Sequence, residues 1–197
     1  MGNAYEERLG TDRMLPLIFK MSLPAVAAQL VNLLYNIVDR IYIGHIPGIG
    51  TDALAGIGVT SAVIVLISSF SAIVGAGGSP LAAIALGRGN RERAGQILGN
   101  GFILLLIFTI LTSATTYLFM EPILLFTGAS ENTIGYATDY LSIYLLGTLF
   151  VELSVGLNTF INTQGRPTIA MYSVLIGAIL NIGLDPLFIF TFGMGVK

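Results

Sequence analysis

Asp39 and Asp185 each lie near the end of a long apolar stretch, where an acidic side chain is energetically costly. A carboxylate within a bilayer costs about 3 kcal/mol unless it is paired, hydrated or turned toward the interior of a helix bundle. Asn181 precedes Asp185 by one helical turn, so an amide accompanies this carboxylate. Acids with amide neighbours in two separate segments indicate a site for a proton or a small cation within a membrane bundle.

Asp39 also belongs to a polar stripe on one helical face. Gln29, Asn32, Asn36 and Asp39 recur at spacings of three, four and three residues. Buried amides commonly hydrogen-bond across membrane helices, so Gln29 and Asn32 are explained equally well as interhelical contacts or as supporting residues of the cation site. The higher cost of a carboxylate favours a functional role for Asp39.

A third acid, Glu152, lies in the middle of another apolar segment. Its polar neighbours on the same helical face are the hydroxyls of Thr148 and Thr159, without a carboxamide. A supporting role in transport and a purely structural role both remain open for it. Ordinary solvation at the end of the same segment explains three further amides, Asn158, Asn162 and Gln164.

The composition predicts a membrane protein. Of the 197 residues, 54% are hydrophobic and 10% are charged, against roughly 25% charged in a soluble domain, and the mean hydropathy is +0.84. A net charge of −2 argues against nucleic acid as a partner. Without cysteine and with one histidine, the chain offers no thiolate or His-rich metal site. We therefore expect no cofactor, and no metal beyond sodium at the cation site.

Five apolar segments are long enough to span a bilayer, which takes about 20 residues. Segments one to five fall near residues 15–43, 54–86, 95–119, 134–161 and 168–192. Lys and Arg are absent from the loops after segments one and three, but they flank the start of segment one and follow segments two and four. The positive-inside rule then predicts a multi-pass protein of the cell (inner) membrane, with residues 1–13 as a cytoplasmic N-terminal segment. We therefore expect Asp39 and Asp185 to share a depth in the outer half of the membrane.

Glycine and proline predict local features within the segments. The stretch Gly75-Ala-Gly-Gly-Ser-Pro80 permits close helix packing, which is the simpler explanation beside a direct substrate role. Pro24 predicts a kink in segment one. Pro186, directly after Asp185, predicts an unwound turn whose free carbonyl oxygens would lie beside the carboxylate.

Several motifs in order resemble one transporter family. They are Ser22-Leu-Pro24, Tyr35-Asn-Ile-Val-Asp39 through Gly44, Gly77-Gly78-Ser-Pro80 running into Leu86-Gly-Arg-Gly-Asn90, Asn158-Thr-Phe160 with Gln164-Gly165 and Pro167, and Leu180-Asn181 through Asp185-Pro186-Leu-Phe-Ile-Phe190. The chain resembles the N-terminal half of bacterial multidrug and toxic compound extrusion (MATE) transporters. The resemblance implies an all-α membrane fold of two six-helix bundles, of which residues 14–197 supply five helices of the first, ending before the sixth.

The same resemblance implies secondary active drug efflux by antiport against protons or sodium ions. In the family, a first-helix aspartate and a fifth-helix Asn and Asp form the cation site of this bundle, and they match Asp39, Asn181 and Asp185. The expected partners are the lipid bilayer, small amphipathic or cationic drugs, the coupling ion and the C-terminal half that this chain lacks. Adaptable Met and aromatic side chains are candidates for an apolar drug cavity: Met21, Tyr35, Phe70, Tyr144 and Phe150.

Three other functions are alternatives to drug efflux. A lipid-linked oligosaccharide flippase of the same superfamily would favour a cationic cavity, but Lys20 and Arg40 are the only basic residues within these segments and lie near the ends of segment one. A membrane enzyme is disfavoured because no nucleophile–base pair or metal-ligand set accompanies the acids. The chain alone could also be a remnant that does not transport. The sequence thus favours a transporter fragment rather than an enzyme.

Overall fold

The computed structural model describes residues 13–192, apart from the side chain of Phe190. Six α-helices lie within this range, and we number them in chain order. They are α1 Met14–Gly44, α2 Gly50–Gly87, α3 Arg91–Leu118, α4 Met120–Phe126, α5 Ile134–Thr163 and α6 Pro167–Pro186. Of the predicted N-terminal segment 1–13, only Arg13 is among the described residues, and the last residues of the predicted bundle 14–197 also lie outside them.

Five of the helices are long and apolar enough to cross a membrane: α1, α2, α3, α5 and α6, the last together with the residues that follow it to Ile189. They correspond to segments one to five, which confirms the prediction of an all-α membrane protein. The short helix α4 was not predicted, because seven residues are too few to show a hydrophobic period. Its buried Met120 and Leu124 share one hydrophobic cluster with Ile67 of α2 and Leu141 of α5, so α4 packs against both helices.

The prediction of an unwound turn at Pro186 is wrong. The chain continues from α6 directly into a π-helical turn, Leu187–Thr191, in which the Phe192 amide donates to the Leu187 carbonyl oxygen at 3.0 Å. Proline lacks an amide hydrogen and crowds the preceding turn, and a π-turn accommodates this by widening the helix instead of breaking it. Backbone carbonyls near Asp185 therefore stay largely within helical hydrogen bonding.

The long helices form two groups that pack differently. Helices α2, α3 and α5 pack on one another as a three-helix unit, while α1 packs along α6 as a helix pair. Contacts between the two groups are sparser and run between α1 and α2 and between α5 and α6. The most hydrophobic stretch of α2 is one-third buried, whereas that of α1 contains no fully buried residue. The pair is thus the more open part of the fold.

Glycines let the three-helix unit pack closely. A Cβ atom at Gly78 would lie 2.7 Å from the Phe160 ring, and one at Gly156 would lie 2.7 Å from the Leu105 side chain. Gly75 likewise faces Thr159 of α5. These contacts support the close-packing interpretation of residues 75–80. The unit therefore forms a tight frame beside which the α1–α6 pair lies.

Candidate functional site

Asn181 and Asp185 form a hydrogen-bonded pair on α6. The Asn181 Nδ2 atom donates to Asp185 Oδ1 at 3.1 Å across one helical turn. The other two side-chain oxygens, Asn181 Oδ1 and Asp185 Oδ2, are buried and have no hydrogen-bond donor among residues 13–192. A buried oxygen without a donor is costly, and a proton or a cation offsets that cost. The pair therefore presents two oxygens suited to binding a positive charge.

Asp39 approaches this pair from α1. Helix α1 packs along α6, Asp39 and Asp185 are both half-buried, and their carboxyl groups lie close enough to interact electrostatically. Arg40 and the hydroxyl of Tyr140 on α5 also lie within electrostatic range of Asp39. Like charges repel strongly in a medium of low dielectric constant. Two carboxylates held at this place favour a state in which a proton or a cation lies with them.

A hydrophobic cluster lies at the end of α1 that follows Asp39. Ile43 is buried there with Ala53 and Ile57 of α2, and Ile189 of the π-turn packs against them. Four residues separate Asp39 from Ile43, so the cluster lies about one turn beyond the carboxylate. The cluster therefore lies between the acidic site and the α1–α2 loop.

The polar stripe of α1 continues from Asp39 toward the start of the helix. Asn36 Nδ2 donates to the main-chain oxygen of Asn32 at 2.7 Å, and both Asn36 and Gln29 are exposed. Gln29 and Asn32 line a small cavity that also contacts α5 and α6. Gln29 and Asn32 thus lie where α1 meets α5 and α6, and the exposed Asn36 lies between them and Asp39.

Glu152 forms a separate polar site within the three-helix unit. It is buried, and both of its carboxyl oxygens accept hydrogen bonds from serines of α2: Oε1 from Ser68 at 2.8 Å and Oε2 from Ser71. Sequence reasoning missed both serines, because hydroxyls within membrane helices usually bond to their own backbone, as Ser69 does with Val65 and Leu66. Several serines at one depth in α2 were the available signal. These hydrogen bonds leave both carboxyl oxygens of Glu152 satisfied.

Two asparagines of α5 lie at a helix junction and not in solvent. Asn158 Nδ2 donates to the main-chain oxygen of Ala170 at 3.2 Å and to Ser173 Oγ at 2.9 Å, both on α6. Asn162 is half-buried, and its Oδ1 atom is buried without a donor among the described residues. Ordinary solvation was therefore the wrong explanation for these two residues. It remains adequate for Gln164, which is exposed.

The five residues proposed for a drug cavity do not gather in one place. The Phe70 ring packs on Phe108 of α3 with centroids 5.3 Å apart, and Tyr144 stacks on Tyr140 at 6.4 Å. Phe150 is 72% exposed, whereas Met21 and Tyr35 are half-buried. Neither of the two cavities described for this fold is lined by any of the five. Their role in drug binding stays a prediction.

Comparisons with known proteins identify the family. Residues 24–187 match the sequence model of the MatE family. The chain is 34% identical over 177 residues to an FAD transporter of Shewanella oneidensis, covering 89% of this chain and 38% of that protein. It is 28% identical over 169 residues to the multidrug export protein MepA of Staphylococcus haemolyticus, covering 86% of this chain and 37% of that protein.

Solved structures agree with this result. A MATE crystal structure in a bent conformation matches with a TM-score of 0.82 and 29% identity, over 91% of this chain and 40% of that one. A MATE structure in a straight conformation matches with a TM-score of 0.83 and 28% identity, over 91% of this chain and 39% of that one. The chain thus spans about two-fifths of the length of the relatives that it matches. Its sequence and its fold together show that the chain belongs to the MatE family of membrane transporters.

Proposed function

We propose that this chain is the N-terminal part of a secondary transporter that exports small molecules in exchange for protons or sodium ions. Asp39, Asn181 and Asp185 hold the coupled cation in this proposal. The observation that carries it is the pair of buried oxygens, Asn181 Oδ1 and Asp185 Oδ2, that lack donors among the described residues beside a second carboxylate. A positive charge stabilises a site of this kind more than it stabilises a site whose oxygens all accept hydrogen bonds.

The orientation follows from the basic residues. Arg88, Arg91 and Arg93 lie at the α2–α3 connection and Arg166 at the α5–α6 connection, while residues 45–49 between α1 and α2 carry neither Lys nor Arg. By the positive-inside rule, the α2–α3 and α5–α6 connections lie on the cytoplasmic side of a bacterial inner membrane. Asp39 and Asp185 then lie toward the outer face, from which protons or sodium ions enter.

Small amphipathic or cationic drugs are the first candidates for the exported molecule, because several relatives carry the name multidrug export protein. A second candidate is a flavin dinucleotide, since the relative with 34% identity is named an FAD transporter. An anionic dinucleotide needs basic contacts, yet Lys20 and Arg40 are both exposed near the ends of α1. In the part of the chain described here, the first candidate is therefore the better match.

Gradient-driven transport by the complete transporter that carries this segment tests the proposal. Proteoliposomes are given an imposed proton gradient, a sodium gradient or neither, and efflux of a fluorescent cationic dye and of FAD is followed separately. We expect dye efflux with one of the gradients and none without. Transport that persists at the same rate without any gradient would refute cation coupling, and FAD efflux without dye efflux would reverse the choice of cargo.

The chain alone requires its own measurement, because it covers about two-fifths of its relatives. The isolated chain is expected to insert into the bilayer but to give no gradient-driven dye efflux. Alanine substitutions at Met21, Tyr35, Phe70, Tyr144 and Phe150 in the complete transporter test the drug cavity. An unchanged drug profile in all five variants would reject that assignment.

A further inference from the structure

A second polar site lies toward the opposite end of the α1–α6 pair from the aspartates. A cavity of about 80 Å³ opens where α1, α5 and α6 meet, near the α5–α6 connection. Four of its lining side chains are carboxamides: Gln29, Asn32, Asn158 and Asn162. We call it the carboxamide pocket. The rest of its lining consists of Ala, Pro, Met and Val residues, so no charged side chain lines it.

The carboxamide pocket contains a polar atom that the described protein leaves unsatisfied. Asn158 is anchored by its bonds to Ala170 and Ser173, but Asn162 Oδ1 is buried with no donor among residues 13–192. An unsatisfied buried carbonyl is costly, and water is its usual partner where a polar cavity has room. A water molecule occupies roughly 30 Å³ in the liquid, so the pocket has space for at least two.

The size of the pocket excludes the exported molecule as its ligand. Sites for drug-sized molecules measure roughly 300–1,000 Å³, several times the 80 Å³ found here. Water and a single small cation are the ligands that fit both the volume and the neutral carboxamide lining. Neutral carboxamide oxygens hold a cation less strongly than the carboxylates of Asp39 and Asp185 do, so a cation would pass through the pocket without being retained there.

The polar stripe of α1 joins the pocket to the acidic site. Gln29 and Asn32 line the pocket, Asn36 is hydrogen-bonded to the backbone of Asn32, and Asp39 follows one turn later. Asn32 and Asp39 are seven residues apart, which is about 10 Å along a helix. Gln29, Asn32, Asn36 and Asp39 therefore form a row of polar side chains on one face of α1 between the pocket and the carboxylates.

We propose that the carboxamide pocket holds water and forms the cytoplasmic end of the path by which the coupled cation leaves Asp39 and Asp185. This inference rests on the proposed cation coupling. The pocket lies at the α5–α6 connection, which the basic residues assign to the cytoplasmic side. The aspartates lie toward the opposite end of the same helix pair, so the pocket and the acidic site are the two ends of one polar path.

Cysteine accessibility tests whether water enters the pocket. The natural sequence contains no cysteine, so Gln29→Cys and Asn32→Cys in the complete transporter each introduce a single thiol into this part of it. Inside-out vesicles are treated with a membrane-impermeant, charged methanethiosulfonate. Because only a thiolate in contact with water reacts, we expect both variants to react at least about tenfold faster than a lipid-facing control.

Leu30→Cys and Leu34→Cys are the matched controls. They lie close to the pocket residues in sequence but on the side of α1 that faces away from Gln29 and Asn32, and they are 56% and 57% exposed in the chain. Equal labelling of pocket and control positions would overturn the proposal, as would labelling of the pocket from the outer side alone. Gln29 is already exposed, so its substitution leaves a readable result if Asn32→Cys fails to fold.

A transport measurement tests whether the cation uses the pocket. Ala28→Leu fills the pocket from α1, and Asn162→Leu removes its unsatisfied oxygen. We expect each to lower kcat about tenfold and to leave KM for the dye unchanged, because the exit of the cation is slowed and dye binding is not. Ala27→Leu, at the neighbouring half-buried alanine that does not line the pocket, should keep normal kcat.

The two experiments separate the pocket from the cation site itself. Labelling reports water and does not depend on transport, whereas Asp39→Asn reports coupling and does not depend on the pocket. Normal export by Asp39→Asn would refute the proposed function even if the pocket is wet. Normal kcat in both Ala28→Leu and Asn162→Leu, with export still lost in Asp39→Asn, would refute the cytoplasmic path and leave the coupling site intact.

Discussion

Two acidic sites within the same membrane fold differ in how their carboxyl groups are satisfied. Glu152 is 1% exposed within the three-helix unit, and hydroxyls of Ser68 and Ser71 bind both of its oxygens. Asp185 is half-buried in the α1–α6 pair, where Asn181 binds one oxygen and the other has no donor among the described residues. One acid is fully bonded by fixed neighbours, and the other is only partly bonded and lies beside a second acid.

This difference is the one expected between an acid with a structural role and an acid that exchanges a bound proton or cation. A buried polar group with all its hydrogen bonds made holds its helices in one arrangement, and exchanging a ligand there would mean breaking those bonds. A carboxylate with a free oxygen and a like-charged neighbour changes energy strongly when a proton or cation arrives. The tight glycine packing of the three-helix unit and the more open helix pair fit the same division of roles.

Neutralising the two kinds of acid should have very different effects on transport. In the complete transporter, Asp39→Asn or Asp185→Asn should reduce gradient-driven dye efflux by about 100-fold, to background, because Asn keeps the size and polarity but cannot exchange charge. Glu152→Gln is the matched control, and it should keep efflux within about twofold because its amide can still bond to both serines. Membrane expression is measured alongside, so that loss of protein is not mistaken for loss of coupling.

Two results would contradict this division. Near-normal efflux by both aspartate variants would remove the coupling role of the α1–α6 pair. Loss of efflux in Glu152→Gln with normal expression would show that Glu152 also exchanges a proton or cation. The two acidic sites would then not differ in function.

Stability should show the reverse order. In the purified chain, Glu152→Ala should lower the free energy of unfolding by about 2 kcal/mol or more, because it opens a cavity and leaves two serine hydroxyls unpaired. Glu152→Gln and Asp185→Asn should each change it by less than about 1 kcal/mol. Unfolding in a detergent titration, followed by circular dichroism, measures all three. An unchanged stability of Glu152→Ala would mean that its serine contacts contribute nothing to the fold.

Sequence alone predicted the spanning helices and the three residues of the proposed cation site. Helix length and hydropathy define a membrane span without knowledge of its neighbours, and the cost of a membrane carboxylate marks Asp39 and Asp185 individually. The partners of Glu152 could not be predicted, because Ser68 and Ser71 lie 84 and 81 residues away in sequence. Only the packing of α2 on α5 brings them together.

Residues at segment ends were harder to interpret than residues within segments. Asn158 and Asn162 resemble solvated residues in the sequence, and their burial depends on how α6 crosses the end of α5. The π-turn after Pro186 could not be predicted either, because a proline predicts that the helix is disturbed but not which form the disturbance takes. In both places the outcome depends on tertiary contacts that local spacing does not encode.

A smaller effect is expected from adding one methyl group to each region. Gly156→Ala places a Cβ 2.7 Å from the buried Leu105 side chain, so it should destabilise the chain by about 1 kcal/mol. Gly183→Ala is the matched control on α6, where a Cβ meets nothing within 4 Å. It should be neutral, or stabilising by about 0.5 kcal/mol through reduced chain entropy. Equal losses in both would show that the helix pair is packed as tightly as the unit.

Helix α1 is expected to move relative to the three-helix unit when the charge of Asp39 is removed. Pro24 lies within α1 and weakens its hydrogen bonding, and MATE structures are known in straight and bent conformations. Asp39→Asn imitates the protonated acid, so it should shift α1 toward whichever shape that state prefers. Spin labels at Ile41→Cys on α1 and Leu146→Cys on α5, both exposed, measure the change in the complete transporter. We expect their separation to change by about 2 Å, the scale of helix shifts in switching proteins.

The control pair places one label at Val65→Cys on α2 and keeps the other at Leu146→Cys, so both labels lie within the three-helix unit. Its distance should be the same with and without the Asp39→Asn substitution, because the glycine contacts hold α2 and α5 together. A shift in both pairs would mean that the whole bundle moves as one body. No shift in either, in a transporter that still exports dye when Asp39 is present, would make Pro24 a static feature of α1 and leave the charge at Asp39 to act without bending the helix.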